Sequence, residues 1–434
     1  MRSRLTVALG RAARAAARLK GSSGSAFPGL VAEKVDPSFM ARTLAQLPYG
    51  VVVVSGTNGK TTTTKMLVEL LSGQGLRVFT NRTGSNFTRG VVASLLTEVN
   101  AAGKLQADVA VLELDEAHAV HFVREVKPRA CLLLNVMRDQ LDRFGEIDNT
   151  AALLHKVASA TTELVVVNGD DPRLAADSFT GSLTARVARF GVGTALRDVF
   201  VSDDDLRAAP AQRAAGEESA ARTEFEGCLE ELSGRSAQIR LRGESYATEF
   251  AIPGVHNILN ATAALTLASE LLGERADVSR LLESAAGVRA AFGRGEVIHV
   301  GGQEIELALV KNPAGFRMSL LSSAPHGYAT MIAINDEYAD GRDMSWLWDV
   351  EFAPLREGGV DMVSGVRAWD MALRLRYDGV PLKKVEPELE SALQEFIDSA
   401  VKEDKPMRIF TTYTAMLAIR AQLSRLTDVE DVFS

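Results

Sequence analysis

The chain has 434 residues, 46% hydrophobic and 24% charged, which is typical of a globular protein with roughly two or three domains. Its 48 basic and 56 acidic side chains leave a net charge of −8, so it lacks the basic excess of a nucleic-acid-binding protein, and we expect no nucleic-acid partner. The two cysteines, Cys131 and Cys228, exclude a disulfide framework and a cysteine-rich metal cluster, and they favour a reducing compartment.

The first twenty residues predict a basic amphipathic helix, with six basic side chains and no acidic one. The helix is expected to end at the Gly/Ser-rich residues 21–25. Two interpretations remain open: the helix lies against an anionic membrane near a lipid-linked substrate, or it covers the first domain with its basic face in solvent. No apolar run approaches the length of a membrane span. We therefore expect a cytoplasmic protein with at most peripheral membrane contact.

From residue 50 onwards, short apolar runs alternate with helical patterns. Buried strands are predicted at residues 50–54, 78–80, 108–114, 129–135 and 164–168. The helices between them are predicted to begin near Thr61, Gly90, Ala117 and Thr150. Because strands separated by helices are joined by right-handed crossovers, this order predicts an α/β fold with a parallel sheet.

The remainder of the chain predicts an insertion and a second α/β block. Residues 186–252 contain short Val/Phe/Arg runs and an Ala/Glu/Asp-rich stretch, which predicts an exposed insertion with a small antiparallel element. A long helix is predicted from His256 to Leu272. Strands are predicted again at residues 305–310, 329–334 and 407–411. The expected organisation is a lead-in segment at 1–49, a central domain at 50–288 with an insertion at about 196–252, and a C-terminal domain at 289–434.

A phosphate-binding loop is predicted after the first strand, where residues 55–62 read Ser-Gly-Thr-Asn-Gly-Lys-Thr-Thr. Small residues let backbone N–H groups approach phosphate oxygens, and the helix N-terminus adds a favourable dipole. Lys60 can neutralise nucleotide phosphates and the Thr61 hydroxyl can reach Mg²⁺. Val54 stands at the first glycine of the general P-loop pattern, yet the Lys-Thr pair favours a nucleotide site over a plain turn. The predicted ATP-binding residues here are Gly56, Thr57, Asn58, Gly59, Lys60, Thr61 and Thr62.

Acidic and amide side chains follow two neighbouring strands of the predicted sheet. Glu113 and Asp115 close one strand, and Asn135, Asp139 and Asp142 follow the next. Since ligands bind at the carboxyl ends of parallel strands, these side chains are expected beside the phosphate loop. One such acid alone is often only a helix cap, but the cluster predicts a Mg²⁺ site with Thr61 and Glu113 as ligands.

The segment 56–62 resembles the signature of the Mur ligase superfamily, which joins amines to carboxylates through acyl phosphates. Further segments resemble that superfamily in the same order: residues 135–142, 253–260 and 292–296. In the first, Gln140 stands where amino-acid-adding ligases usually have His. The resemblance implies a Mur ligase-like central P-loop ATPase domain and a C-terminal α/β Rossmann-like domain. It also implies that Arg294 reaches the nucleotide phosphates.

Residues 311–316 and 335–349 resemble the MurT family, the synthetase subunits of lipid II isoglutaminyl synthase. The resemblance implies ATP-dependent amidation of the D-glutamate α-carboxylate of the lipid II stem peptide to D-isoglutamine. The ammonia would come from a GatD-like class-I glutaminase subunit. Neither cysteine here sits in a Gly-x-Cys-x-Gly elbow. If glutamine is the nitrogen donor, a separate subunit must therefore hydrolyse it, and we expect a stable heterodimer.

Roles for further residues follow from the same resemblance. His256, Asn257 and Asn260 would line the hinge against the nucleotide, and Asp336 would hold its ribose or base. Asp349 would position the incoming ammonium ion and accept a proton from it, because ammonium has no free lone pair and only the ammonia so formed can attack. From the residues alone, Trp346–Asp349 would instead be an aromatic core wedge followed by a helix cap.

Many MurT proteins carry a four-cysteine zinc ribbon in the middle domain, whereas Cys228 stands alone here. One thiolate cannot form a tetrahedral site, so a ribbon-like insertion without zinc is expected. Cys131 is interpreted as a buried core residue. Two alternative functions remain: another amide ligase of the superfamily, folylpolyglutamate synthase-like or amino-acid-adding, and an ATP-dependent switch that ligates nothing.

Overall fold

The computed structural model describes residues 2–19, 26–81, 87–137, 147–197, 200, 225–252, 254–288, 294–322 and 327–427. The described residues form two compact units. The first draws on Met1–Met137, Ile147–Ala251 and Asn257–Val288, and the second on Ile252–His256 and Arg289–Ser434. Both are built around sheets with mostly parallel strands, which confirms the predicted α/β class.

The first unit contains a nine-stranded sheet in the order β2-β3-β1-β4-β5-β6-β7-β8-β9. Its strands are β1 (Val51–Ser55), β2 (Val78–Thr80), β3 (Val109–Glu113), β4 (Ala130–Leu133), β5 (Leu164–Asn168), β6 (Arg186–Val192), β7 (Gly227–Ser233), β8 (Ser236–Leu241) and β9 (Glu244–Glu249). All pairings from β2 to β7 are parallel. β1 lies between β3 and β4, and its four valines are buried, as expected of a central strand covered on both faces.

Several predicted strand boundaries differ from the structure by one or two residues, and the differences at β1 and β4 have identifiable reasons. Gly50 has φ +68°, which is incompatible with a strand, so β1 starts one residue later. The strand predicted at 129–135 is confined to Ala130–Leu133, and Asn135 lies beyond it in a turn. There its amide bonds to the phosphate loop instead of following a sheet register.

Helices pack on the sheet of the first unit, and several begin shortly after a strand, as the sequence predicted. They are α1 (Arg2–Leu19), α2 (Ala26–Val35), α3 (Phe39–Leu44), α4 (Lys60–Gly73), α5 (Thr88–Glu98), α6 (Glu116–Glu125), α7 (Ile147–Ala160), α8 (Pro172–Ala175), α9 (Asp177–Thr180), α10 (Val255–Leu272) and α11 (Val278–Gly287). α4 follows β1 directly and contacts β1, β2 and β3, so its N-terminus lies at the carboxyl edge of the sheet.

The basic helix α1 packs on α2 and α5. Thr6 and Val7 are buried, and the Arg11 guanidinium donates to the carbonyl oxygens of Leu96 and Val99, at 3.1 and 2.6 Å. These contacts support the interpretation of α1 as a covering helix. Among the described residues, no helix has both the length and the apolar character needed to cross a bilayer.

The predicted antiparallel element is the ribbon β7–β9. Because β7 also pairs in parallel with β6, the ribbon extends the main sheet and is not a separate module. Cys228 on β7 and Cys131 on β4 are both buried, and burial raises the pKa of the Cys131 thiol to about 12. Neither thiol is therefore suited to act as a nucleophile. The Ala/Glu/Asp-rich stretch, residues 202–223, lies outside the described residues.

The second unit contains a six-stranded sheet in the order β10-β11-β15-β12-β13-β14, in which only β10 and β11 pair antiparallel. Its strands are β10 (Arg294–Val300), β11 (Gln303–Leu309), β12 (Ala329–Ala333), β13 (Val360–Ser364), β14 (Leu382–Val385) and β15 (Met407–Thr411). Its helices are α12 (Pro313–Ser322), α13 (Ala368–Tyr377), α14 (Leu389–Lys402) and α15 (Tyr413–Leu423). The centroid of the Phe316 ring is 5.1 Å from that of Phe352 and 5.4 Å from that of Phe410. All three rings belong to one hydrophobic core of the second unit.

Candidate active site

The phosphate loop joins β1 to α4 through two glycines in conformations that disfavour other residues. Gly56 has φ +129° and Gly59 has φ +86°. A Cβ at Gly56 would lie 3.0 Å from the backbone N of Asn135, so the loop packs closely on the turn after β4. Lys60, Thr61 and Thr62 form the first turn of α4, which places its backbone N–H groups at the loop.

Asn135 fixes the loop through three hydrogen bonds. Its Oδ1 accepts from the backbone N–H of Asn58 at 2.8 Å, and its Nδ2 donates to the Asn58 carbonyl at 3.1 Å. Its own carbonyl accepts from the Thr57 N–H at 3.1 Å. The sequence predicted that Asn135 lies near the phosphate loop, but not that it hydrogen-bonds to the loop backbone.

Asp171, which sequence reasoning missed, supports the same turn from β5. Its Oδ2 accepts from the Val136 N–H at 2.6 Å, while its Oδ1 caps α8 through the N–H groups of Arg173 and Leu174. Burial raises the pKa of this carboxyl group to about 6, against the opposing effect of these hydrogen bonds. The Asp-Pro sequence at 171–172 is a helix-start signal that could have located the cap.

Thr61 and Glu113 meet at the carboxyl edge of the sheet. The Thr61 hydroxyl donates to Glu113 Oε1 at 2.9 Å, and Glu113 is only 8% exposed. Asn81, a second residue missed by sequence reasoning, exchanges two 2.9 Å hydrogen bonds with the Glu113 backbone. A hydroxyl and a carboxylate are the oxygen ligands that Mg²⁺ prefers, so the pair fits this ion.

The Lys60 ammonium group is buried at the base of the loop. It donates to the Gly56 carbonyl at 2.7 Å and lies 3.3 Å from Asp115 Oδ1 and 3.7 Å from Glu116 Oε2. Glu116 was not identified from the sequence, although it is the first residue of α6. The two carboxylates hold the ammonium group beside the loop, where a nucleotide phosphate would bind.

Helix α10 carries the predicted hinge residues. A Cβ at Gly59 would lie 2.7 Å from Asn260 Oδ1, so the Asn260 amide packs directly on the phosphate loop. Asn257 is buried and His256 is half-buried in the first turn of the helix. The structure thus brings Asn260 to the phosphate site.

In the second unit, Asp336 follows β12 and accepts a 2.8 Å hydrogen bond from the Arg367 guanidinium. Asp349 is exposed at the end of a 3₁₀ helix, Ser345–Asp349, and its carbonyl accepts from Arg317 at 2.7 Å. Trp346 and Leu347 are buried, as the wedge interpretation required, but Trp348 is 46% exposed and does not belong to the core. The helix-cap part of that interpretation is wrong, because Asp349 ends one helix and Phe352 precedes the next.

Two other aspartates organise the loop before Asp349. Asp340 is buried and accepts from the backbone N–H groups of Thr414 and Glu337, at 2.8 and 3.1 Å. The pKa of Asp343 is lowered because Ser345 donates to its carboxylate through both the hydroxyl and the backbone N–H. Both therefore have structural contacts that account for them.

Some predicted site residues fall outside the described structure. Asp139, Gln140 and Asp142 belong to residues 138–146, which are not described. Arg294 is the first residue of β10, but its side chain is also outside the described part. Among the described residues, no cluster of three or more His, Cys, Asp or Glu side chains forms a metal site.

The chain is similar to known proteins over most of its length. The family model "Mur ligase middle domain" matches residues 54–268, and "MurT ligase C-terminal" matches residues 309–416. The subunit MurT of lipid II isoglutaminyl synthase (glutamine-hydrolyzing) from Streptococcus pneumoniae is 32% identical over 92% of each chain. The subunit of the same name from Staphylococcus aureus is 28% identical over 98% of each chain.

A solved structure shares the fold. The MurF ligase from Thermotoga maritima in complex with ADP has a TM-score of 0.67 and 18% identity, over 90% of this chain and 83% of that one. The chain therefore belongs to the MurT family, within the Mur ligase superfamily.

Proposed function

We propose that this chain is the synthetase subunit of a lipid II isoglutaminyl synthase, with ammonia supplied by a class-I glutaminase subunit of the GatD type. It converts the D-glutamate α-carboxylate of the lipid II stem peptide to D-isoglutamine at the expense of ATP. The observation that carries this proposal is the Thr61–Glu113 pair beside a phosphate loop, in a chain of the MurT family.

The reaction requires activation of the carboxylate, because oxide is too poor a leaving group for ammonia to displace. Transfer of the γ-phosphoryl group of ATP to a carboxylate oxygen forms an acyl phosphate and releases ADP. Ammonia then attacks the carbonyl carbon, the C–O bond to phosphate breaks, and the nitrogen loses a proton. The products are the amide, ADP and inorganic phosphate.

Charge neutralisation is assigned to the phosphate loop and its neighbours. The backbone N–H groups of residues 56–62 and the Lys60 ammonium group bind the phosphates. Thr61 and Glu113 hold Mg²⁺, which when bound supplies positive charge to the phosphate oxygens. Arg294 adds a guanidinium group during phosphoryl transfer. Asp115 and Glu116 keep Lys60 beside the loop when no phosphate is there.

The remainder of the nucleotide is assigned to two segments. Asn260 packs on the phosphate loop, and His256 and Asn257 precede it on the same helix. We assign this part of α10 to contacts with the adenosine of ATP. Asp336 binds ribose or base through its carboxylate, which Arg367 orients.

Asp349 is assigned to the second half-reaction. Asp349 is an exposed residue, so an incoming ammonium ion can reach it, and its carboxylate can accept the proton that must leave before attack. The Arg317 guanidinium donates to the Asp349 carbonyl and so holds the backbone from which this side chain extends. Asp349 is the residue to which we assign catalysis of amide formation.

The chain is tested with lipid II, ATP and Mg²⁺, using either ammonium chloride or glutamine as the nitrogen source. The isolated chain should form the amide from ammonium but not from glutamine, and adding the glutaminase subunit should enable glutamine use. Mass spectrometry detects the change from a hydroxyl to an amino group. Glutamine use by the isolated chain, or ATP hydrolysis unaffected by lipid II, would contradict the proposal.

A further inference from the structure

Helix α13 (Ala368–Tyr377) exposes a row of large apolar side chains. Trp369, Leu373 and Tyr377 are 65%, 47% and 72% exposed. Their spacing of four residues places them on one face of the helix. Val366, just before the helix, is 62% exposed, and Trp348 is 46% exposed. We refer to these five residues as the α13 face.

The α13 face rests on a fixed base. Ala368, Met371 and Leu375, on the opposite side of the helix, belong to the apolar core of the second unit. Exposed rings on a helix anchored in this way lose little conformational freedom when a partner binds. Their exposure is therefore not the result of a loosely packed segment.

Trp348 is joined to this helix by its neighbours. Its ring meets that of Tyr377 edge-on, with centroids 5.2 Å apart, and the Arg374 guanidinium lies 5.6 Å from its centroid. Arg374 also donates to the Val350 carbonyl and pairs with Asp378, both at 2.6 Å. Trp348 thus continues the row of α13 and holds a defined orientation.

The α13 face is adjacent to the proposed catalytic residue, Asp349. Trp348 is the residue before Asp349, which is itself exposed. Ammonia made by another subunit must reach Asp349 without escaping to water, where it would be protonated and diluted. A partner seated on the α13 face would cover the approach to Asp349 from that side.

We infer that the α13 face is the docking surface for the glutaminase subunit. This inference rests on the proposed function. Trp and Tyr are among the residue types that dominate the binding energy of protein interfaces, and the α13 face contains two Trp and one Tyr. The exposed charged side chains nearby are of both signs, Asp370, Glu351 and Arg376, and this mixed charge without a basic excess favours a protein partner over an anionic membrane.

The test uses the double variant Trp369→Glu/Leu373→Glu in the full chain, with the class-I glutaminase subunit of the same organism. The matched control is Val297→Glu, which charges an equally exposed apolar residue (46%) on β10, at the opposite edge of the sheet. Trp369→Ala serves as a milder variant. Melting temperatures and circular dichroism establish that each variant is folded.

The double variant should bind the glutaminase subunit at least about 30-fold more weakly, the loss expected for one interface hot spot. Glutamine-dependent amidation should fall at least about tenfold at limiting glutaminase, while ammonium-dependent amidation stays within about twofold of wild type. Trp369→Ala should weaken binding in the same direction. Val297→Glu should leave both activities unchanged.

Wild-type affinity for the glutaminase subunit in the folded double variant would overturn the inference. So would loss of ammonium-dependent amidation, because the face would then serve the ligase chemistry. Binding to phosphatidylglycerol vesicles that the variant loses, with glutaminase affinity unchanged, would assign the face to a membrane instead. If wild type amidates with neither nitrogen source, the proposed function fails, but the binding measurement still tests the docking surface.

Discussion

The hydroxyl of Thr61, in the first turn of α4, donates a 2.9 Å hydrogen bond to Glu113 Oε1, at the end of β3. The two residues are 52 positions apart and meet because β1 and β3 are adjacent parallel strands. The Asn81 amide holds the backbone of Glu113 at this edge. The contact therefore joins the phosphate loop to the carboxylate proposed to share its metal ion.

Replacing Thr61 by Val should raise the Mg²⁺ concentration required for ATP turnover by about 10- to 100-fold, because an oxygen ligand is removed. The matched control is Thr63→Val in the same helix. Within the described part of the chain, the buried Thr63 hydroxyl has no hydrogen-bond partner, so its loss should be neutral. Equal Mg²⁺ dependence in the two variants would remove Thr61 from the metal site.

Gly59→Ala should weaken nucleotide binding at least about tenfold, because a new Cβ would displace the Asn260 amide and distort the phosphate loop. Gly75→Ala is the matched control: Gly75 has φ +84°, close to the +86° of Gly59, and has open space around it. Both variants should share the strain of a left-handed residue, of roughly 1 kcal/mol. Calorimetric titration with an ATP analogue separates them, and equal affinities would contradict the role given to Asn260.

Asp171 predicts a pH dependence of stability. Its folded-state pKa of about 6 lies above the ordinary value of 3.8, so folding favours the protonated form. The stabilisation is fully present below pH 3.8 and is lost as pH rises through 6. Between about pH 4.5 and 7, the free energy of unfolding of wild type should fall by about 2 kcal/mol more than that of Asp171→Asn.

The Asp171 prediction is checked by urea denaturation of both proteins across this range. Other titrating groups are common to the two proteins and cancel in the difference. Asp171→Asn should be less stable than wild type at every pH in this range. The asparagine side chain has one oxygen, so while that oxygen caps α8 it cannot also accept from the Val136 N–H. A difference that does not vary with pH would show that Asp171 is ionised at all these values.

Asp349→Asn should lower ammonium-dependent amidation by about 100-fold or more, the usual contribution of a positioned proton acceptor. The affinity for ATP should change little, because Asp349 is not assigned to the nucleotide. Glu351→Gln, which neutralises an exposed carboxylate two residues away, should retain wild-type turnover. Undiminished amidation by Asp349→Asn would remove it from the catalytic mechanism.

The central strands and the phosphate loop could be predicted because their signals are local. β1 is a run of valines followed by a glycine loop and a Lys-Thr helix start. β13 and β14 were missed because polar residues interrupt them. Asp361 within β13 accepts from the Thr330 N–H of β12 and forms an ion pair with Lys383 of β14. These polar side chains therefore connect neighbouring strands of the sheet.

The supporting residues of the site could not be predicted in the same way. Asn81, Glu116 and Asp171 contact the site through pairings between distant strands and loops, and only Asp171 carries a local signal. The α13 face was also hidden in the sequence. Apolar residues at helical spacing normally indicate core, and only the structure separates buried Met371 from exposed Leu373.

The most direct measurement follows oxygen-18 from the substrate carboxylate into phosphate. Lipid II labelled at the D-glutamate α-carboxylate is amidated with ATP, Mg²⁺ and ammonium by the isolated chain, and the inorganic phosphate is analysed by mass spectrometry. The oxygen that bridges carbon and phosphorus in an acyl phosphate comes from the carboxylate. When ammonia attacks the carbonyl carbon, phosphate leaves with that oxygen, so each phosphate released should carry one labelled oxygen. Unlabelled phosphate accompanying the amide would contradict the acyl phosphate, and with it the function proposed for this chain.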